Sequence, residues 1–116
     1  MDHNSISLIP KAYELHKNLY QVLKTFPKGD KYNLGNEIKL NSINLLELFL
    51  EAESTPKEWK MPLLNKANVK LSMLKLFIRL ANDLGIIDQK TMINIQEQLQ
   101  EVGRMLGGWI KFLTKT

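Results

Sequence analysis

Few side chains in this sequence have the types and spacing that chemistry requires. Glu47 and Glu51 stand one helical turn apart, as do Glu97 and Glu101, and helical bundles that bind two metal ions use this spacing. Those bundles also need a Glu-x-x-His element, and no glutamate here is followed by a histidine three positions later. We therefore predict that both pairs lie on solvated helix faces and bind no metal.

The other candidates for catalysis are equally weak. His16 falls beside the apolar positions of a predicted helix, which favours a histidine at the edge of the core with a hydrogen-bonded ring nitrogen over a ligand or a base. The chain has no cysteine, which excludes disulfides, thiolate zinc sites and cysteine nucleophiles. It also lacks a phosphate-binding glycine loop and a nucleophile elbow. The sequence predicts no enzymatic activity and no cofactor.

The basic residues form a more informative pattern. The net charge is +4 and the isoelectric point is near 9.3, which favours nucleic acid or an acidic protein surface as a partner. Each cation alone is an ordinary solubilising residue, but copies repeated around an oligomer would form a ring that could bind phosphate backbones. Lys57 and Lys60 add positive charge at the start of the third predicted helix. The candidate nucleic-acid or partner-binding residues are Lys66, Lys70, Lys75, Arg79, Arg104 and Lys111.

The spacing of apolar residues predicts an all-α fold that positions these side chains. Pro10 is expected in the first turn of the first helix, Asp30 at the cap of the second, and Pro62 at a kink or at the start of the third. Long helices joined by short turns predict an antiparallel up-down-up-down four-helix bundle, with residues 1–116 in a single domain. The predicted helices span about residues 8–26, 30–54, 57–84 and 88–113.

The corner from Asn82 to Asp88 carries the clearest turn signals in the sequence. Gly85 can adopt the left-handed backbone conformation that ends a helix. Asp88 can accept hydrogen bonds from the free N–H groups that begin the next helix. We therefore expect the third helix to end and the fourth to begin at this corner.

The third predicted helix has apolar residues on two neighbouring faces. The predicted core face consists of Leu63, Ala67, Leu71, Leu74, Ile78 and Ala81. The second face consists of Val69, Met73, Phe77 and Leu80, and it continues to Leu84. Only one such face can be the core, so the second must be exposed, covered by a different helix or buried against another subunit. The width of the apolar surface favours burial between copies of the chain in a homo-oligomer.

The fourth predicted helix contains a Gly103-x-x-x-Gly107 motif near its end. This motif brings helices together in membranes, but it is a weak signal in water. The simpler interpretation is that the glycines let another helix or the chain end approach closely, with Trp109 filling the space beside them. Packing must then stabilise the helix, because glycine disfavours it intrinsically.

The sequence shows no signal that directs the chain to a membrane. Its N-terminus lacks the basic start and the apolar segment of a secretion signal, and nowhere do about 18 apolar residues run together. We therefore expect a cytoplasmic protein without a membrane partner.

Three segments of the chain, in this order, carry a resemblance to a known family. They are residues 26–35 followed by Ile38, the run from Leu63 to Leu84, and residues 102–109 with the ending Leu106-Gly107-Gly108-Trp109. Together they resemble the accessory variability determinant (Avd) proteins of diversity-generating retroelements, over about Tyr13 to Phe112. They are also similar to the wider four-helix-bundle family that includes proteins encoded in intervening sequences of 23S ribosomal RNA genes.

The resemblance implies a function that the residues alone do not give. It implies a non-enzymatic homopentamer that, like Avd proteins, binds the reverse transcriptase of the element and its template RNA or cDNA during mutagenic retrohoming. Their partner-binding residues form no motif that can be transferred residue by residue. The alternative is a structural or protein-interaction scaffold of the 23S intervening-sequence type, with no direct role in nucleic-acid binding.

Overall fold

Four long helices make up most of the molecule. The structure is a computed structural model that describes residues 3–115, and it contains no strand within that range. The molecule is elongated, with extents of 47 × 22 × 19 Å. The helices are α1 (His3–Leu23), the single turn α2 (Lys28–Lys31), α3 (Leu34–Ser54), α4 (Lys60–Asp83) and α5 (Gln89–Thr114), with a 3-10 turn at Lys57–Trp59.

The long helices form a closed ring of neighbours. α1 packs on α3, α3 on α4 and α4 on α5, and α5 closes the ring by packing on α1. Because each short connection reverses the chain, neighbouring helices run antiparallel. The predicted all-α four-helix bundle is therefore confirmed as the fold.

One core runs through the centre of the bundle. It includes Trp109 and Phe49, which are both 0% exposed, and every long helix contributes aliphatic side chains to it. On α4 the prediction of the core face was wrong at one position, because Leu63 is only half-buried and Leu64 takes the fully buried place. The other predicted core residues of α4 are buried: Ala67, Leu71, Leu74, Ile78 and Ala81.

α1 begins five residues earlier than predicted. The predicted start placed Pro10 in the first turn, whereas Pro10 lies inside the helix. Contacts to the rest of the bundle hold the preceding turns in place. Leu8 is fully buried, and the Ser5 hydroxyl donates a 2.7 Å hydrogen bond to the Glu53 carboxylate on α3. Tertiary packing therefore outweighs the local cost of an internal proline.

The connection between α1 and α3 also differs from the prediction. α1 ends at Leu23, and a separate helical turn, α2, follows Pro27 before α3 starts at Leu34. Asp30 lies inside α2 and does not cap α3; the residue before α3 is Asn33, whose side chain makes no capping hydrogen bond. Phe26 is buried, and a Cβ at Gly35 in the first turn of α3 would lie 3.5 Å from its ring carbon Cδ2.

The start of α4 depends on a buried lysine. Pro62 is the third residue of α4, where its missing N–H group leaves no helical acceptor unpaired. Lys60 is 7% exposed, and its ammonium donates hydrogen bonds to the carbonyl oxygens of Ala52 and Glu53 at the end of α3. The ammonium also lies 5.8 Å from the centre of the Trp109 ring. Lys60 therefore caps α3, and it does not belong to a basic surface.

The corner between α4 and α5 confirms the turn that the sequence predicted. Gly85 has a φ of 73°, and it is the one residue with positive φ among those described. The N–H of Ile86 donates to the carbonyl of Ala81 at 2.8 Å, and the N–H of Gly85 donates to the carbonyl of Asn82 at 2.9 Å. This pair of bonds is a Schellman motif. Asp88 then accepts a 2.8 Å hydrogen bond from the N–H of Thr91. Hydrogen bonding from the Thr91 side chain, together with this N–H, lowers the pKa of the Asp88 carboxyl group.

We predict that Gly85→Ala lowers the free energy of unfolding by about 1–2 kcal/mol, because a Cβ disfavours positive φ. Gly107→Ala is the matched control, since Gly107 lies inside α5 and a Cβ there would meet nothing within 4 Å. It should raise the free energy of unfolding by about 0.5–1 kcal/mol. Urea denaturation measures both, and a Gly85→Ala protein as stable as the parent would contradict the corner described.

His16 occupies the core edge, as predicted. Its Nδ1 lies 2.8 Å from the Ser42 hydroxyl oxygen on α3, so one ring nitrogen has a hydrogen-bond partner. Burial disfavours the charged ring and lowers the pKa of His16 below its ordinary value of 6.5. This histidine is therefore neutral when the folded protein is near neutral pH.

We predict that the free energy of unfolding falls as the pH drops through about 6.5, the ordinary histidine pKa. In that range the unfolded chain takes up a proton at His16 that the folded chain does not, and the loss stops below the folded-state pKa. His16→Gln cannot titrate, so this part of the pH dependence should disappear in the variant. Urea denaturation of both proteins at about pH 7.5 and about pH 5.5 tests the prediction, and an unchanged pH dependence would refute it.

The glycines of α5 divide into two kinds. A Cβ at Gly103 would lie 3.1 Å from Cδ2 of Leu71, so this glycine does let α4 approach closely. Gly107 and Gly108 are exposed, and a Cβ at either would meet nothing within 4 Å. The prediction of close approach is thus confirmed at Gly103 and wrong at Gly107 within a single chain. Trp109 is fully buried in the core.

Candidate nucleic-acid interface

Lys66 and Lys70 lie together, as their spacing predicts, but acidic side chains lie close to them. They line a groove of about 420 Å³ between α3 and α4, in which Val69 is also exposed. The α3 side of the same groove carries Glu47 and Glu51. The two carboxylates therefore offset the positive potential of the two lysines at this place.

Lys75 and Arg79 face a different neighbour. The backbone carbonyl of Lys75 accepts a 3.2 Å hydrogen bond from the Gln96 side chain on α5, so this face of α4 adjoins α5. The Arg79 guanidinium lies 3.9 Å from the Asp83 carboxylate, and both side chains are well exposed. Such an exposed pair contributes little to stability, and it leaves Arg79 able to exchange Asp83 for a phosphate.

The two predicted cations of α5 differ in their surroundings. Arg104 donates hydrogen bonds of 2.7 and 3.2 Å to the two carboxylate oxygens of Glu101. This contact raises the pKa of Arg104 and lowers the pKa of Glu101. Lys111 is exposed one turn before the end of the helix. The predicted cations thus lie along α5 and on two sides of α4, and several of them are close to carboxylates.

The predicted subunit interface is partly exposed in the single chain. Val69 is 62% exposed and Leu80 is 41% exposed, whereas Met73 and Phe77 are half-buried. Phe77 also packs against the core of its own bundle. The sequence interpretation did not include Leu76, which is 58% exposed on the same helix. α4 therefore presents apolar side chains to solvent, and burial of this face by a second copy stays a prediction.

The structure assembles one basic group that the sequence interpretation missed. At the corner of α1, α2 and α3, a groove of about 240 Å³ is lined by two tyrosines, three lysines and no carboxylate. The sequence signal for this basic group was the alternation of aromatic and basic residues on either side of the connection between α1 and α3. The residues that line it are Tyr20, Leu23, Lys24, Lys31, Tyr32, Gly35, Asn36 and Lys39.

The paired glutamates do not converge on a common point. Glu47, Glu51 and Glu97 are exposed, and Glu101 is half-buried beside Arg104. Within residues 4–115, whose side chains the structure describes, no cluster of three or more histidine or carboxylate side chains could hold a metal ion. Across that same range, none of the helices combines the length and the apolar character needed to cross a bilayer.

The fold places the chain in the class of small four-helix-bundle proteins. Comparison with protein families gives the more specific assignment: the family model described as bAvd-like matches residues 7–113, which is nearly the whole chain. The protein therefore belongs to the bAvd-like family, an accessory, non-catalytic family. No curated protein gives a significant match.

Proposed function

We propose that this protein is the accessory subunit of a diversity-generating retroelement. In this role it binds the reverse transcriptase of the element and its nucleic acid, template RNA or cDNA, during mutagenic retrohoming in the cytoplasm. The observation that carries the proposal is the bAvd-like match over residues 7–113. The net charge of +4 favours the same kind of partner.

The proposal includes a homopentamer as the working assembly. The exposed apolar side chains of α4 support an interface between copies, because soluble proteins rarely leave such a row uncovered. A closed ring would also repeat each basic group five times around its axis. Phosphate contacts that are weak in one chain would then add up along a bound strand.

Binding of labelled single-stranded RNA and DNA, measured by fluorescence anisotropy over a salt series, tests the nucleic-acid role. We expect binding at low salt that weakens as salt rises. Neutralising the α4 cations with Lys66→Gln, Lys70→Gln, Lys75→Gln and Arg79→Gln should weaken binding and make the negative slope of log K against log salt shallower by up to about 3. If the unaltered protein failed to bind at low salt, its direct role in nucleic-acid binding would be refuted.

The second candidate function is a protein-interaction scaffold without nucleic-acid binding. It is favoured by the position of Lys66 and Lys70 opposite Glu47 and Glu51, which reduces the basic potential of that groove. In that case the apolar face of α4 would matter and the cations would not. The two functions are separated by the same salt series, because a scaffold would show no salt-dependent affinity for either nucleic acid.

A further inference from the structure

We propose that the corner of α1, α2 and α3 is a binding site for single-stranded nucleic acid. Tyr20 and Tyr32 would stack against bases, and Lys24, Lys31 and Lys39 would bind the adjoining phosphates. The inference rests on the proposed function and adds to it a particular surface, which lies outside all six cations predicted from the sequence.

Both tyrosines are available to a ligand. Tyr20 is 52% exposed and Tyr32 is 73% exposed, although both belong to the lining of the groove. An aromatic ring that faces solvent on a positively charged surface can stack on a base of any identity, because every base has a π-face. The site should therefore bind single strands with little sequence preference.

No acidic side chain in the lining of this groove offsets the charge of its lysines. Its lining contains three lysines and no carboxylate, in contrast to the α3–α4 groove, where Glu47 and Glu51 face Lys66 and Lys70. The Lys24 ammonium lies 5.5 Å from the centre of the Tyr20 ring, so a cation and a stacking surface are already adjacent. This pairing of charge with an aromatic face is typical of grooves that follow a single strand.

The backbone around the groove is held in place. The N–H groups of Asp30 and Lys31 both donate to the carbonyl of Pro27 at 3.0 Å, which closes the α2 turn. Gly35 is buried, and a Cβ there would lie 3.2 Å from the carbonyl oxygen of Asp30 and 3.5 Å from Leu23. Since glycine lets α3 pass this close to α2, the lysines and tyrosines are presented from a fixed scaffold. A fixed scaffold reduces the entropy lost on binding.

The test is fluorescence anisotropy with labelled oligouridine and oligo-deoxythymidine, using variants of the full chain. Tyr20→Ala and Tyr32→Ala should each weaken binding by about five- to 150-fold, the range found when stacking aromatics are removed. Tyr13→Ala is the matched control, because Tyr13 is 56% exposed on α1 and does not line the groove. It should leave the affinity unchanged.

The lysines are tested by charge-matched triple variants. Lys24→Gln, Lys31→Gln and Lys39→Gln together should make the negative slope of log K against log salt shallower by about 2. The control triple Lys11→Gln, Lys57→Gln and Lys115→Gln removes the same charge from exposed positions outside the groove and should change the slope little. All replaced side chains except Lys39 are exposed, and circular dichroism of each variant verifies that the helices are intact.

The outcomes separate this site from the proposed function. If the unaltered protein binds neither oligonucleotide at low salt, both the function and the site are refuted. If it binds and the corner variants behave like their controls, the function stands and this site is wrong. A preference for oligouridine would identify RNA as the ligand, and a preference for oligo-deoxythymidine would identify cDNA.

Discussion

Trp109→Ala should lower the free energy of unfolding by about 3–5 kcal/mol, the largest loss that we expect from a single change in the core. Trp109 is 0% exposed at the end of α5, and its ring also lies beside the Lys60 ammonium that caps α3. The substitution therefore leaves a cavity and removes a neighbour of the cap. Because the free energy of unfolding of a small domain is only about 5–15 kcal/mol, part of the variant should be unfolded at physiological temperature.

Trp59→Ala is the control for this measurement. Trp59 is 65% exposed in the 3-10 turn before α4, so its removal should change the free energy of unfolding by no more than about 0.5 kcal/mol. Urea denaturation followed by far-ultraviolet circular dichroism gives both values without relying on tryptophan fluorescence. Equal losses in the two variants would contradict the packing described for α5.

Val69→Glu should convert the proposed homopentamer into monomers of 13.4 kDa. Val69 is 62% exposed in the single chain, so a carboxylate there is hydrated and costs the bundle little. At an interface between copies the same carboxylate would be buried without a guaranteed partner, which costs several kcal/mol. Size-exclusion chromatography with light scattering measures the change in mass.

Ile93→Glu is the matched control for assembly. Ile93 is β-branched like Val69 and 46% exposed, but it lies on α5, outside the predicted interface. It should leave the mass of the assembly unchanged. A Val69→Glu protein that keeps the parent mass would refute the interface. Phe77→Asp is a less specific test, since Phe77 packs on the core of its own bundle and its loss also destabilises the fold.

The sequence predicted the fold best where local chemistry and packing agree. At the α4–α5 corner, Gly85 and Asp88 each favour the conformation that they adopt, so the prediction was right almost to the residue. The helices themselves followed from apolar spacing, because one buried stripe per helix is enough to define a bundle. The family resemblance implied the same fold, and the bAvd-like match over residues 7–113 confirms that resemblance.

The sequence predicted less well where distant contacts decide the local structure. The start of α1 depends on the contact between Ser5 and Glu53, which are far apart in the chain. Asp30 has a good capping side chain, yet it lies inside the extra turn α2, and α3 starts only at Leu34, where a Cβ at Gly35 would lie 3.5 Å from Phe26. Such effects arise from tertiary packing between separate segments of the chain, so a local stretch of sequence does not reveal them.

The surface was the hardest part to predict. Periodicity placed Lys66 and Lys70 on one face correctly, but it could not show that Glu47 and Glu51 would lie across the groove from them. It also counted Lys60 among the surface cations, although its ammonium is buried at the end of α3. The groove at the α1–α3 corner needs three elements to meet, so its charge becomes visible only in the folded chain.

The DNA sequence around the gene tests the central claim most directly. An accessory subunit of a diversity-generating retroelement should be encoded beside a reverse transcriptase reading frame, with a template repeat and a variable repeat that differ at adenines. That arrangement is the result that we predict. A gene lying within a ribosomal RNA operon, or one with no reverse transcriptase frame nearby, would contradict the retroelement role and favour the scaffold instead.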